Sequence, residues 1–380
     1  MSVCIAGMGW VTPLGAGVLE VWDALRRGEE AVPEAIVDAG GRRSYQGFRV
    51  PASALDELPA HPRLRRASAI SRFAAAAGTA ALRDARTQLG EIDPARLALI
   101  FAISNGGVIY TKRFYHDVVT SGAGTASPLL FPETVFNAPA SHLAAILGVT
   151  GPTYTLVGDG SVGLSAINMA EDLMRNEALG SCLVVGAEET DWLLCDAYAK
   201  WRLLRSEPPI QPFARSPRGM ILSEGAGALF LARQGDVRIK ATHPGGFYNN
   251  RRQLAEVAEG ILRDIHASSA SFAVASANGT FIDAAESAAL QRCVPSAQIY
   301  TAAPSLGEGV GTGGLWQVIV AAQALRTKTV PPLLHAPPNP PFTPSAASAG
   351  PLTGDVAVVL SCGLNQQISA LSLTTQPPSW

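Results

Sequence analysis

A glycine-rich turn between a strand-like and a helix-like segment is the place where this sequence is best arranged for chemistry. The apolar pattern predicts a strand over residues 152–158 and a helix over residues 161–178, with Gly160 in the turn between them. A cysteine at the first turn of a helix is a good nucleophile, because the positive end of the helix dipole lowers the pKa of its thiol. Gly160 has no side chain that can react. The segment therefore offers the turn and the helix end that suit a nucleophile, without supplying one.

The next residue, Ser161, is an alternative nucleophile. It lies in Asp159-Gly160-Ser161-Val162-Gly163, where Asp159 stands at the position that the G-x-S-x-G nucleophile elbow reserves for glycine. A hydroxyl at the start of a helix more commonly caps free backbone N–H groups, so we expect Ser161 to be an N-cap residue. An acid such as Asp159 compensates the helix dipole at the same place. Acyl transfer or hydrolysis through Ser161 stays open as the alternative.

A second glycine-rich turn, Gly307-Glu308-Gly309, carries one carboxylate. Burial would raise the pKa of Glu308 toward the range in which a carboxyl works as a general acid or base. The simpler interpretation is a carboxylate paired with a nearby donor, in this chain or in a partner. Both interpretations stay open at the level of the sequence.

The elements around these turns alternate short apolar runs with longer amphipathic segments, which predicts an α/β layered fold. They also repeat, because Tyr154-Thr155 and Tyr300-Thr301 each open a strand that is followed by a glycine-rich turn and a helix of small residues. Such a duplication indicates two similar halves packed together. The predicted strands cover residues 2–8, 97–104, 152–158, 181–187, 226–233, 237–243, 272–277, 298–303, 355–361 and 367–374, and the predicted helices cover residues 17–27, 67–87, 137–147, 161–178, 252–267, 284–293 and 313–328.

The composition excludes several classes of function. A formal net charge of −2 argues against nonspecific nucleic-acid binding. No run reaches the length of about 18 apolar residues that a membrane span needs. The five cysteines are scattered without a C-x-x-C pair, which favours reduced thiols in the cytoplasm, and Cys4, Cys182 and Cys362 are expected in the core. The six histidines are isolated from one another, so we expect no bound metal and no cofactor.

Four further segments accompany the turn at Gly160 in a fixed order: residues 5–15, 127–132, 136–143 and 223–229. Together they resemble, in the same order, the motifs of the β-ketoacyl synthase family. The resemblance implies the thiolase fold, which has five layers (αβαβα), two pseudo-symmetric halves and an obligate dimer. We place the N-terminal half at residues 1–235, with a dimer and tunnel insertion at about 104–140, and the C-terminal half at residues 236–380.

The resemblance also locates the catalytic groups of the family, and all four are replaced in this chain. Gly160 stands at the position of the cysteine that accepts the acyl chain. Asn278 and Glu308 stand at the positions of the two histidines, and Ala303 stands at that of the lysine. Asn278 can still donate a hydrogen bond but cannot carry a proton charge near neutral pH. A carboxylate at Glu308 would oppose a developing oxyanion. We therefore predict no catalytic residue in this chain.

Aromatic residues are concentrated in the predicted insertion. The resemblance places this region at the dimer interface and at the end of the acyl tunnel, where bulky side chains limit the length of the growing chain. Plain core packing is the alternative for any one of them. The candidate tunnel and interface residues are Tyr110, Phe114, Tyr115, Phe131 and Phe136.

A β-ketoacyl synthase homologue without its catalytic groups resembles a chain length factor. That role implies a heterodimer with an active ketosynthase, which it completes and whose tunnel it shapes, and contact with an acyl carrier protein through that partner. Type II polyketide systems use such pairs, and the short chain with its compact loops favours a system of the aryl polyene type. Many chain length factors carry glutamine at the cysteine position, from which Gly160 departs. The alternatives are relocated chemistry at Ser161 or Glu308, and a homodimeric acyl-binding scaffold.

Overall fold

The computed structural model describes residues 2–340, 342–345 and 348–375. Every strand and helix predicted from the sequence is present, with ends that differ by a few residues. The strands are β1 (Val3–Thr12), β2 (Gly15–Ala16), β3 (Glu34–Val37), β4 (Ser44–Phe48), β5 (Leu97–Ile103), β6 (Thr153–Val157), β7 (Ser181–Glu188), β8 (Leu222–Ser223), β9 (Gly225–Ala232), β10 (Val237–Thr242), β11 (Gly246–Phe247), β12 (Phe272–Val274), β13 (Gln298–Tyr300), β14 (Thr329–Val330), β15 (Gly350–Pro351), β16 (Val356–Cys362) and β17 (Gln367–Thr374).

The helices include three that the sequence did not predict, namely α3, α6 and the short α9. Short 3₁₀ turns connect several elements, among them Phe131–Thr134 before α4. The helices are α1 (Val18–Arg26), α2 (Ala69–Leu89), α3 (Val108–Ser121), α4 (Ala138–Leu147), α5 (Val162–Leu173), α6 (Trp192–Lys200), α7 (Leu254–Asp264), α8 (Ile282–Cys293), α9 (Ala303–Leu306) and α10 (Val310–Thr327).

The main sheet consists of two halves with the same strand order. One half runs β6-β5-β7-β9-β1 and the other runs β13-β12-β16-β17-β10. In each half the first three strands are parallel and the last two are antiparallel to their neighbours. The halves join where β1 pairs with β10, Val3 lying opposite Ile239. This arrangement confirms the duplication that the sequence predicts.

The two halves of the sheet and the helices that pack on their apolar faces form five layers. Helices α5 and α10 lie between the halves in the largest hydrophobic cluster, and α10 is buried along most of its length. Helices α2 and α4 cover the outer face of the first half, while α7 and α8 cover the outer face of the second. Since both faces of the interior strands are covered, β5, β7 and β16 are buried at every position, whereas the edge strand β6 is not.

Close contact between β1 and α2 depends on glycine. A Cβ atom added to Gly9 would overlap the carbonyl oxygen of Ala77 and lie 2.8 Å from its carbonyl carbon. We expect Gly9→Ala to lower the free energy of unfolding by about 3 kcal/mol, because backbone atoms must move to admit the methyl group.

Gly260 provides the matched control. It lies inside α7 with no atom within 4 Å of the added Cβ, so Gly260→Ala should raise the free energy of unfolding by about 0.5–1 kcal/mol. Urea denaturation of both variants measures the two effects. Equal effects of the two substitutions would contradict the close packing of β1 on α2.

The two outer edges of the main sheet differ. Along β13, the chain itself covers the edge, because Ile299 exchanges backbone hydrogen bonds of 2.9 Å with Thr343 and Ser345. Along β6, β5 is the only pairing strand among the described residues, and the side chains of Tyr154 and Val157 are 40% and 55% exposed. An open, apolar edge strand is a surface prepared for another chain.

Within residues 2–340, 342–345 and 348–375, no helix combines the length and the apolar character needed to span a bilayer.

Candidate functional site

One cavity of about 710 Å³ brings together the four positions singled out in the sequence: Gly160, Asn278, Ala303 and Glu308. Gly160 lies in the turn after β6, and Asn278 lies in the loop after β12. Ala303 begins α9 after β13, and Glu308 lies between α9 and α10. The cavity is therefore built at the carboxyl ends of strands from both halves, which is where α/β sheets hold their ligands.

The cavity has space for a side chain at Gly160. A Cβ atom added there would meet only the Cα of Gly363 at 3.7 Å and the carbonyl oxygen of Cys362 at 4.0 Å, which are ordinary contacts. The Gly160 carbonyl oxygen accepts a 2.8 Å hydrogen bond from the hydroxyl of Ser361. The turn is thus held in place by its neighbours and has room for a side chain that the sequence does not supply.

Ser161 is fully buried next to this turn and is not part of the cavity wall. It occupies the N-cap position of α5, but its hydroxyl makes no capping hydrogen bond, so the prediction of a side-chain cap is wrong. Instead the hydroxyl donates to Asp159 Oδ1 at 3.3 Å. The Asp159 carboxylate also accepts from the backbone N–H groups of Ser161 and Asn365, at 3.4 and 2.8 Å. The acid, and not the serine, compensates this helix end.

Asn278 and Glu308 are hydrogen-bonded to each other. The amide Nδ2 of Asn278 donates to Glu308 Oε2 at 2.6 Å, and Asn278 Oδ1 accepts from the hydroxyl of Thr280 at 2.7 Å. The backbone of Glu308 is fixed on both sides, by hydrogen bonds of 2.9 Å to Ile221 and Ser223. The amide of Asn278 is therefore already hydrogen-bonded, through its nitrogen to Glu308 and through its oxygen to Thr280. Oxyanions are stabilised by free, preorganised donors, whereas the Asn278 amide nitrogen already donates to Glu308 Oε2 and to Met220 Sδ.

Burial raises the pKa of Glu308 from 4.5 to about 7. The hydrogen bond from Asn278 opposes this effect, while the charges of Asp159 and Asp283 add to it. A buried acid with a raised pKa binds its proton more tightly in the folded state than in the unfolded state. Its contribution to stability is therefore fully present below pH 4.5 and is lost as the pH rises through about 7.

Glu308→Gln should remove this share of the pH dependence. At pH 8 we expect the variant to exceed the wild type in free energy of unfolding by about 2 kcal/mol, since cavity water screens part of the shift. Near pH 4.5 the two proteins should be equally stable, because both then carry a neutral side chain. Urea denaturation across this range measures the difference, with Glu34→Gln at an exposed position as the control for the loss of one carboxylate. A constant difference at all pH values would contradict the raised pKa.

A second buried acid supports the part of the cavity wall next to Gly160. Glu286 Oε1 accepts hydrogen bonds from the backbone and the hydroxyl of Ser276, at 2.8 and 3.0 Å, and the Ser276 hydroxyl accepts from the Cys362 N–H at 2.8 Å. Burial raises the pKa of Glu286 to about 8. Cys362 is buried as predicted, but it also contributes to the cavity wall, and burial raises the pKa of its thiol. A protonated thiol is a poor nucleophile.

Helix α6 forms a wall that the sequence reasoning missed. Leu194, Tyr198 and Trp201 at and beyond this helix line the cavity. The signal for this helix is Asp191, whose Oδ1 accepts from the Leu193 N–H at 2.9 Å and caps the helix ahead of an apolar run. Among the described residues, no three His, Cys, Asp or Glu side chains are grouped as metal ligands.

The aromatic residues of the predicted insertion lie away from this cavity. Tyr110 and Phe114 on α3 are half-buried, and Phe114 contacts Phe131 with ring centroids 5.7 Å apart. Tyr115, Phe131 and Phe136 are 67%, 56% and 45% exposed. None of the five lines the cavity of this chain.

These exposed aromatic side chains lie on elements that neighbour one another. The 3₁₀ turn Phe131–Thr134 packs against α3 and α4, and α4 packs against β6. We call the exposed apolar side chains along this path the edge surface; they are Tyr115, Phe131, Phe136, Tyr154 and Val157.

Comparison with models of protein families identifies the family of this chain. The model of the β-ketoacyl synthase N-terminal domain matches residues 1–236, and that of the C-terminal domain matches residues 233–337. The chain belongs to the β-ketoacyl synthase family.

Individual relatives are distant. The 3-oxoacyl-[acyl-carrier-protein] synthase 2 of Synechocystis is 25% identical over 236 residues, which cover 60% of this chain and 57% of that protein. A Streptomyces violaceoruber protein named as a granaticin polyketide β-ketoacyl synthase is 26% identical over 375 residues, which cover 88% of this chain and 89% of that protein. The solved structure of the ishigamide ketosynthase/chain length factor matches with a TM-score of 0.85 at 20% identity, over 99% of both chains. These matches confirm the thiolase fold.

Proposed function

We propose that this chain is a non-catalytic β-ketoacyl synthase homologue that acts as a chain length factor. The observation that carries the proposal is the hydrogen-bonded Asn278–Glu308 pair beside Gly160 in an otherwise complete cavity. Carbon–carbon bond formation in this family needs a nucleophile and donors for the developing oxyanion. Gly160 supplies no nucleophile, and Glu308 places an acceptor where a donor is needed.

The edge surface supports a partner. It joins an open strand edge at β6 to exposed aromatic side chains on α3 and on the 3₁₀ turn before α4. Exposed apolar patches of this kind mark interfaces, and backbone groups along β6 offer hydrogen bonds to a second strand. The occupant we propose is an active ketosynthase with the same fold, which presents an equivalent strand edge.

Within that heterodimer, the chain would shape the acyl tunnel from the far side of the interface. Phe114 and Phe131, which contact each other, and their neighbours Tyr110, Tyr115 and Phe136 are the side chains proposed to limit chain length. The acyl carrier protein would deliver its cargo to the cysteine of the partner. The match to the ishigamide ketosynthase/chain length factor over 99% of both chains supports the chain length factor role. A solved complex of a type II PKS acyl-carrier protein with its ketosynthase matches with a TM-score of 0.83, which supports a type II polyketide system. The compact loops favour a system of the aryl polyene class. The scattered, reduced cysteines favour the cytoplasm.

One structural feature favours a second candidate. The Glu308 carboxyl is partly exposed to the cavity and its pKa is raised to about 7, which suits a general acid or base. Such an enzyme would hydrolyse or transfer thioesters without this family's nucleophile. Glu308→Gln would lower thioester turnover at least tenfold in that case and would leave it unchanged if the chain only shapes the tunnel.

Co-expression with an intact ketosynthase from the same genome tests the proposal. Size exclusion should show a one-to-one heterodimer that condenses malonyl and acyl units on a carrier protein, while the chain alone condenses nothing. A stable homodimer that ignores the ketosynthase would favour the acyl-binding scaffold. Condensation by the lone chain would refute the proposal.

A further inference from the structure

A polar pocket of about 300 Å³ lies outside the cavity, in the loop that follows α6. Its wall is formed by Leu204, Arg205, Ser206, Glu207, Pro208 and Arg218. The loop is anchored to the strand-like segment opposite it, because the Arg205 N–H donates to the Met220 carbonyl oxygen at 3.0 Å and the Met220 N–H donates to Leu203 at 2.8 Å. The two arginines therefore face one space from backbone segments that are held together.

The guanidinium groups of this pocket are not neutralised. Arg205 Nε donates to the backbone carbonyl of Glu207 at 2.5 Å, whereas its Nη1 is buried and has no hydrogen-bond partner. Neither Arg205 nor Arg218 forms an ion pair with any carboxylate among the described residues. The charge of Arg218, added to burial, lowers the pKa of Arg205. Two like charges around a polar space with a donor left unsatisfied are unfavourable unless an anion joins them.

We propose that this pocket binds a phosphate group, as the free ion or as a phosphate monoester. Guanidinium forks match the geometry of phosphate oxygens, and Arg205 and Arg218, which both line the pocket, would supply the donors. The hydroxyl of Ser206, on the same wall, is available as a further donor. The site is independent of the proposed chain length role, since no residue of the pocket belongs to the cavity that holds Gly160.

Glu207 is the one acidic residue of the pocket wall, and its substitution gives a further test of phosphate binding. Its exposed carboxylate forms no ion pair with either arginine, so it would repel a bound phosphate without being displaced. Glu207→Gln should therefore strengthen phosphate binding a few-fold.

The experiment is a calorimetric titration of the purified chain with inorganic phosphate and, separately, with glycerol 3-phosphate, at low ionic strength. Arg205→Gln and Arg218→Gln should each weaken binding at least about tenfold, because each removes a charge-assisted contact. Arg86→Gln on α2 makes the same change of net charge away from the pocket and should bind like the wild type. Preference for the ester identifies a monoester ligand, and preference for inorganic phosphate identifies the free ion.

Thermal unfolding separates loss of binding from loss of fold. Without phosphate, Arg218→Gln should be at least as stable as the wild type, because it removes the repulsion between the two guanidinium groups. With phosphate, the wild type should gain thermal stability and the two pocket variants should not. Equal binding by all variants, or no binding by the wild type, would overturn the proposal.

Discussion

Val157→Asp is expected to weaken the association of this chain with the proposed ketosynthase partner at least about a hundredfold. Val157 is 55% exposed at the end of β6 and belongs to the edge surface that we assign to the partner. A carboxylate forced into a closed apolar interface without a counter-ion costs about 3–5 kcal/mol. Each 1.4 kcal/mol corresponds to about a tenfold change in affinity, so the complex should no longer survive size exclusion.

The control for this variant is Val32→Asp. Val32 is 83% exposed and lies far along the chain from the edge surface, before β3. Both variants should unfold at the temperature of the wild type, since neither side chain is buried in the single chain. Analytical ultracentrifugation of each variant with the ketosynthase measures the affinity. Full association of Val157→Asp would show that the partner binds elsewhere.

Gly160→Cys should install a reactive thiol without installing condensation. The added side chain has room, because its Cβ meets no atom closer than 3.7 Å, and it would lie at the N-terminal end of α5. Iodoacetamide should therefore label residue 160 stoichiometrically, as measured by peptide mass spectrometry. The condensation rate of this variant should stay at least about a hundredfold below that of the partner, because loss of one oxyanion donor alone costs that much.

Ser161→Cys is the matched control for Gly160→Cys. It places the same thiol one residue further along the chain, where the wild-type side chain is fully buried. We expect no labelling of that variant by iodoacetamide in the folded protein. Equal labelling of both variants would mean that iodoacetamide reaches buried thiols and that labelling does not report the cavity. Condensation by Gly160→Cys within a hundredfold of the ketosynthase rate would mean that the cavity keeps chemistry that the Asn278–Glu308 pair should have removed.

The ten strands of the two halves could be predicted from the sequence because most of them are buried on both faces, whereas the short strands outside that order, such as β3 and β4, were not predicted. Runs such as β7 and β16 are apolar at almost every position, so their type and place are evident. Helix α3 was missed for a different reason. None of its residues is fully buried, and polar side chains interrupt its apolar positions, so its helical pattern is weak.

The candidate site could be predicted as a set of positions but not as a set of contacts. The family resemblance placed Gly160, Asn278, Ala303 and Glu308, and the structure brings all four to one cavity. It could not show that Asn278 and Glu308 hydrogen-bond to each other, because that contact joins loops from separate strands. The rotamer of Ser161 could not be predicted either. Its hydroxyl donates to Asp159 and does not cap α5.

We propose that carbon–carbon bond formation in the complex takes place on the ketosynthase partner and not on this chain. The most direct measurement is intact-protein mass spectrometry of the co-purified heterodimer after incubation with an acylated carrier protein. We expect one acyl adduct on the ketosynthase chain, mapped to its cysteine, and an unchanged mass for this chain. An acyl adduct on this chain, at Ser161, Cys362 or any other residue, would contradict the account.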